Sequence, residues 1–178
     1  SLYESIPRFI ATLGGEGVDN VMHYSTVIIE CALKSGECES IITDIQHFVS
    51  AAETLLAGLI IAVSLSEFLC CYETAEGSFA GLTVPFIEFL IVFIAQVEDE
   101  IALAYIFMCL TNILMNTHIQ YFNENFGAFE PIITKLFYLE RASATPQYQM
   151  FSRCASNFMV LFLGKYYASL DGDIMSTT

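Results

Sequence analysis

Apolar residues recur along this chain in runs of about ten to twenty at helical spacing, broken by short polar stretches. Read as helices, these runs predict spans at 3–13, 17–34, 40–49, 51–72, 82–97, 99–115, 117–125, 129–140 and 146–169. No break is long or polar enough to serve as a linker, so residues 1–178 are expected to form a single domain. Only 4 Pro and 10 Gly leave room for long helices, and the regular turn punctuation of a β-sandwich is missing. The predicted class is all-α.

Internal similarity sharpens that expectation. Short predicted helices open near Ser5-Ile6-Pro7, Thr83-Val84-Pro85 and Phe129-Glu130-Pro131. Proline suits the first helical turn, where its missing N–H costs nothing. A cysteine follows each proline after 24, 24 and 23 residues, at Cys31, Cys109 and Cys154. The last two begin matched strings, Cys109-Leu110-Thr111-Asn112-Ile113 and Cys154-Ala155-Ser156-Asn157-Phe158. A fourth copy lacks the proline and places Ala62 at the cysteine position, so successive copies are 31, 47 and 45 residues apart. A small residue there lets neighbouring helices approach, and all four are expected in equivalent buried environments. A period in the forties points to helical units that bury their apolar faces by stacking.

The run Thr117-His118-Ile119-Gln120-Tyr121-Phe122-Asn123-Glu124-Asn125-Phe126-Gly127-Ala128-Phe129-Glu130-Pro131-Ile132-Ile133-Thr134-Lys135-Leu136-Phe137 resembles the first two helices of an armadillo repeat, with Gly127-Ala128 at the family's glycine turn. Upstream, Ile106 to Leu114 is similar to the third helix, which ends on an asparagine. The resemblance implies an armadillo/HEAT-like right-handed helical solenoid of about three and a half repeats. The repeats map to 4–34, 36–66, 67–116 and 117–166, with a tail at 167–178. In that family the third helices line a groove, and an asparagine ladder holds the main chain of an extended peptide. The ladder positions here are Lys34, Leu65, Asn112 and Asn157, and the companions four residues earlier are Glu30, Ile61, Met108 and Arg153. One turn further back lie Val27, Gly58, Tyr105 and Met150. Only two of the four ladder positions are asparagine, which departs from the Trp- and Asn-rich groove of nuclear-import receptors. Tyr105, Met108, Asn112, Arg153 and Asn157 are the candidate partner-binding residues. Each has a plainer alternative: an amide can cap a helix end, and Met or Tyr at helical spacing can be core.

Charge defines the kind of partner. The net charge is −14, and the 100 residues between Lys34 and Lys135 hold 13 Asp or Glu with no Lys or Arg. Such a surface repels a phosphate backbone, so direct nucleic-acid binding is not expected, whereas a basic or amphipathic protein segment is attracted. The Glu98-Asp99-Glu100 cluster is read first as negative charge favouring a helix N-terminus.

The longest uncharged run, Ile101 to Asn123, has 23 residues, but its second half is rich in Asn, Thr and Gln and no Lys or Arg flanks it. A membrane span is therefore not expected. The opening Ser-Leu-Tyr-Glu lacks the basic start of a signal peptide. The six cysteines sit mostly inside apolar runs, and Cys70-Cys71 are adjacent, so free thiols in a reducing compartment, cytoplasmic or nuclear, are expected. There is no CxxC; His23, His47 and His118 stand alone; Gly14-Gly15-Glu16-Gly17 lacks the Lys-Ser/Thr of a phosphate loop. Neither an enzyme nor a bound metal or cofactor is expected. The functional expectation is a scaffold that binds a partner's peptide or helix in the solenoid groove. A homo-oligomerising structural module is the alternative, and a membrane-associated helical bundle a more distant one.

Overall fold

A computed structural model describes residues 27, 29–31, 34, 41–76, 80–116, 127, 130–132, 134 and 146–176. The predicted helices at 3–13 and 117–125, and most of those at 17–34 and 129–140, lie outside these residues. Among the described residues every regular element is helical and there is no strand. The long elements are α1 (Ile41–Val49), α2 (Leu55–Glu76), α3 (Ala80–Gln96), α4 (Glu100–Asn116) and α5 (Pro146–Ser176). The contacts group into two compact units, Ser1–Phe89 and Leu90–Thr178, divided within α3 and not at a linker.

In the first unit α1 is amphipathic, with Ile41 and Ile45 buried and Thr43, Gln46 and His47 in solvent. Helix α2 is different: every residue from Ala57 to Ser66 is buried. A helix that is apolar all round must be covered on every side. Its two serines are fully buried because each hydroxyl donates back to its own helix, Ser64 to the Ile60 carbonyl at 2.9 Å and Ser66 to that of Val63 at 2.6 Å. The predicted start at residue 51 is corrected to Leu55, because Ser50–Thr54 form a turn. There Thr54 donates its hydroxyl to the Phe48 carbonyl at 2.6 Å, tying the end of α1 to the start of α2. One turn on, Gly58 lets α2 lie against α1. A Cβ there would stand 2.8 Å from Val49 Cγ1 and 2.9 Å from Phe48 Cβ.

Pro85 does not open its helix as its neighbourhood predicted. Helix α3 begins at Ala80, five residues earlier, so the proline withholds an N–H from the second turn. Thr83, in the first turn, is buried, and among the described residues its hydroxyl has no hydrogen-bond partner.

In the second unit α4 is buried from Ala102 to Phe107 and again at Cys109, Leu110, Ile113 and Leu114. Helix α4 packs directly on α5. Phe107 is the junction, its ring 5.9 Å from that of Phe151 and 5.4 Å from that of Phe158. Pro146 is the first residue of α5, the position at which proline is best tolerated. Among the described residues, no helix is long and apolar enough to cross a membrane.

The four repeat positions are not equivalent. Ala62, Cys109 and Cys154 are buried, whereas Cys31 is exposed. Ile29 is fully buried in the same helical stretch, and two residues of helix turn Cys31 to the opposite side.

Candidate functional site

Helix α4 starts on a cap. Asp99 Oδ2 accepts a hydrogen bond from the Ala102 N–H at 2.8 Å, and the Asp99 carbonyl accepts from Leu103 N–H at 2.9 Å. This is the arrangement of an N-cap aspartate, so Asp99 has a structural role at the positive end of the helix. Glu98 and Asp99 are nonetheless exposed.

Three of the five candidates lie on α4. Tyr105, Met108 and Asn112 follow one another at steps of three and four, so they share a stripe with Ile101 and Met115 at its ends. The stripe is open at both ends, with Ile101 37% and Met115 55% exposed. Tyr105 in its middle is buried, and Met108 and Asn112 are half-buried. Tyr105 therefore contributes core packing first. Thr111, next to Asn112, donates its hydroxyl to the Phe107 carbonyl at 2.7 Å.

The other two candidates lie on α5, whose faces divide cleanly. Phe151, Cys154, Ala155, Phe158 and Phe162 are buried, and Phe151 and Phe158 meet α4 through Phe107. At 100° per residue Arg153 and Asn157 fall on the opposite side, one turn apart, and both are exposed. Because α5 runs on to Ser176, Asn157 lies far from either end of its own helix, so its amide does not cap α5. Burial holds the Cys154 thiol above the ordinary thiol range, with the neighbouring Arg153 guanidinium pulling the other way. Burial likewise lowers the Lys165 ammonium below the usual lysine range.

Of the matching positions in the first unit, Ile61 and Leu65 are fully buried in α2. Lys34 and Glu30, a ladder position and its companion, form an ion pair with each other at 2.5 Å. No family model, curated protein or solved structure matches this chain.

What the sequence reading missed is apolar and exposed. Beyond Asn157 the outer side of α5 carries Val160, Leu163, Tyr167 and Leu170, with Val160 74% and Tyr167 63% exposed. These residues were indistinguishable from core in an apolar run. The available signal was that α5 holds apolar residues on two opposite sides, more than one packed neighbour can cover. Gly164 lies among them, and a Cβ there would meet nothing within 4 Å.

Proposed function

We propose that this chain is a protein-interaction scaffold, an armadillo-type stack of helices that takes a peptide or helical segment of a partner along α4 and α5. The observation that carries the reading is the outer face of α5. Asn157 and Arg153 stand exposed in mid-helix, opposite the phenylalanines that hold α5 in place, and they lead into a row of exposed apolar side chains. Asparagine is a poor helix former, less favourable than alanine by about 0.7 kcal/mol or less, so its place there is not owed to helix stability. A face combining polar anchors with uncovered apolar surface matches the composition of a protein-binding site.

The acidic cluster beside the α4 stripe, with Glu98 and Asp99 exposed, fits a basic or amphipathic partner segment. The free thiols of Cys31 and Cys154 fit a reducing compartment, cytoplasm or nucleus. No catalytic role, metal or cofactor is part of the proposal.

Site-specific photocrosslinking in the protein's own cells tests the reading. A photoreactive residue at Asn157 or Val160 is expected to give discrete protein adducts, and one at exposed Gln46 on α1 is expected to give none. Absence of adducts on α5, or the same adducts from Gln46, contradicts the assignment.

A further inference from the structure

The outer side of α5 carries opposite charges at its two ends. Arg153 opens a stripe that continues through 157, 160, 164 and 167 at steps of four and three, and all five positions are exposed. One further step of four reaches Asp171 in the same helix. At 100° per residue, 153 and 171 fall on one line, so the stripe is basic at one end and acidic at the other. Leu163 and Leu170 flank one edge of it. Among the described residues, the exposed large apolar side chains of α5 are Val160, Leu163, Tyr167 and Leu170, and all four belong to this strip. We propose that the strip is covered by the same strip of a second copy of the chain, the two α5 helices running antiparallel about a two-fold axis level with position 162. The proposal rests on the reading of the outer face of α5 as a binding surface and names its occupant.

Charge sets the direction. Two copies laid parallel would place Arg153 against Arg153 and Asp171 against Asp171. The antiparallel arrangement places Arg153 of each copy against Asp171 of the other, once at each end. Pairing of this kind fixes orientation and register more than affinity. Spacing gives the same register. The stripe positions are symmetric about 162, so Asn157 falls level with Tyr167 and Val160 with Gly164, while Leu163 approaches its own copy across the axis. Alternating steps of four and three are those of helices that pack along a shared seam, and one patch meeting itself makes a closed dimer. Gly164 fits the same place. A glycine inside a helix is less stable than alanine, and among the described residues nothing within 4 Å of Gly164 requires the side chain to be missing. Opposite Val160, which is 74% exposed, the glycine leaves room for the valine and lets the two backbones approach.

From 153 to 171 the stripe spans about 27 Å, and a helix is about 10 Å wide, so each copy contributes a footprint of about 300 Å². A standard interface takes roughly 800 Å² per partner, so the dimer is weak and reversible.

Charge exchange at the ends of the stripe tests the arrangement, read by sedimentation equilibrium at concentrations up to about 1 mM. The wild-type chain is expected to gain mass toward a dimer as concentration rises. Arg153→Asp sets acid against acid at both ends and Asp171→Arg sets base against base, so each is expected to weaken association by about tenfold or more. The chain carrying both substitutions again sets opposite charges against each other and is expected to recover wild-type association. An equimolar mixture of the two single variants is expected to associate equally well. Val160→Asp is expected to abolish the dimer, and far-UV circular dichroism confirms that each variant is folded. A wild-type chain that stays monomeric throughout overturns the proposal, as does a dimer that survives Val160→Asp. A doubly substituted chain no better than the single variants overturns the antiparallel register. A monomeric chain that still crosslinks a foreign protein through Asn157 overturns the second-copy assignment and leaves the scaffold reading standing.

Discussion

Replacing glycine by alanine at two helix positions should shift stability in opposite directions, because one position is packed and the other faces open space. In a helix interior the change gains about 0.5–1 kcal/mol from backbone entropy alone. At Gly164 nothing lies within 4 Å of the new methyl, so the full gain is expected. At Gly58 the methyl would lie 2.8 Å from Val49 Cγ1, 2.9 Å from Phe48 Cβ and 3.1 Å from the Val49 backbone nitrogen. Ordinary carbon contacts are about 3.5–4.0 Å, so the overlap exceeds half an ångström. The Val49 methyl can rotate away, but the Val49 nitrogen is α1 backbone and Phe48 Cβ is fixed directly to that backbone, so relief requires α1 to move. Overpacking of this kind costs about 1–3 kcal/mol, which outweighs the propensity gain. Gly58→Ala is therefore expected to lose about 1–2 kcal/mol, a fall of roughly 2–8 °C in Tm for a chain of this size. Thermal unfolding followed by circular dichroism gives the magnitude, and hydrogen exchange assigns each change to its own unit. If Gly58→Ala stabilises as much as Gly164→Ala, α1 does not lie against α2 at this point.

Other consequences follow from burial. Phe107→Ala removes the ring shared by Phe151 and Phe158 and should cost about 3–5 kcal/mol, read by urea unfolding; a loss under 1 kcal/mol would show that α4 and α5 are not joined there. Thr83→Val replaces a buried hydroxyl that has no partner among the described residues by an isosteric methyl and is expected to gain about 1 kcal/mol in the same assay, whereas a loss would reveal a hydrogen bond at that hydroxyl. Alkylation of the native protein should reach exposed Cys31 well before buried Cys109 and Cys154. Burial raises the Cys154 thiol above the ordinary thiol range, so its reaction should need a higher pH than an ordinary thiol's, and denaturant should abolish its protection in site-resolved mass spectrometry. Equal native rates for Cys31 and Cys154 would contradict the packing of α5.

Much of the helical layout was legible from the spacing of apolar residues. The prediction of 40–49 became α1 at Ile41–Val49, and 99–115 became α4 at Glu100–Asn116. The errors arise where local chemistry overrides periodicity. Residues 51–54 continue an apolar pattern, but the Thr54 hydroxyl holds them in a turn. Pro85 reads as a helix start, yet the helix accommodates it in its second turn. Helix α5 runs to Ser176, past the polar Ser169-Leu170-Asp171-Gly172 stretch that reads as an end. The candidate site was legible only in part. Asn157 followed from the matched cysteine strings and Arg153 from the companion position four residues earlier that the resemblance implies, and the structure leaves both exposed. Tyr105, picked by the same logic, is buried, because periodicity places a residue on a face without saying whether another element covers it. For the same reason the exposed Val160 and Tyr167 read as core.

On the proposed reading, the outer face of α5 holds a protein partner and is not there to stabilise the fold. The affinity of Asn157→Ala for the partner segment recovered by crosslinking, measured by calorimetry at equal folded fraction, tests it most directly. A roughly tenfold weaker Kd is expected, about 1.4 kcal/mol, with unfolding unchanged to within about 0.5 kcal/mol. Undiminished affinity together with a loss of stability would make Asn157 a structural residue and contradict the claim.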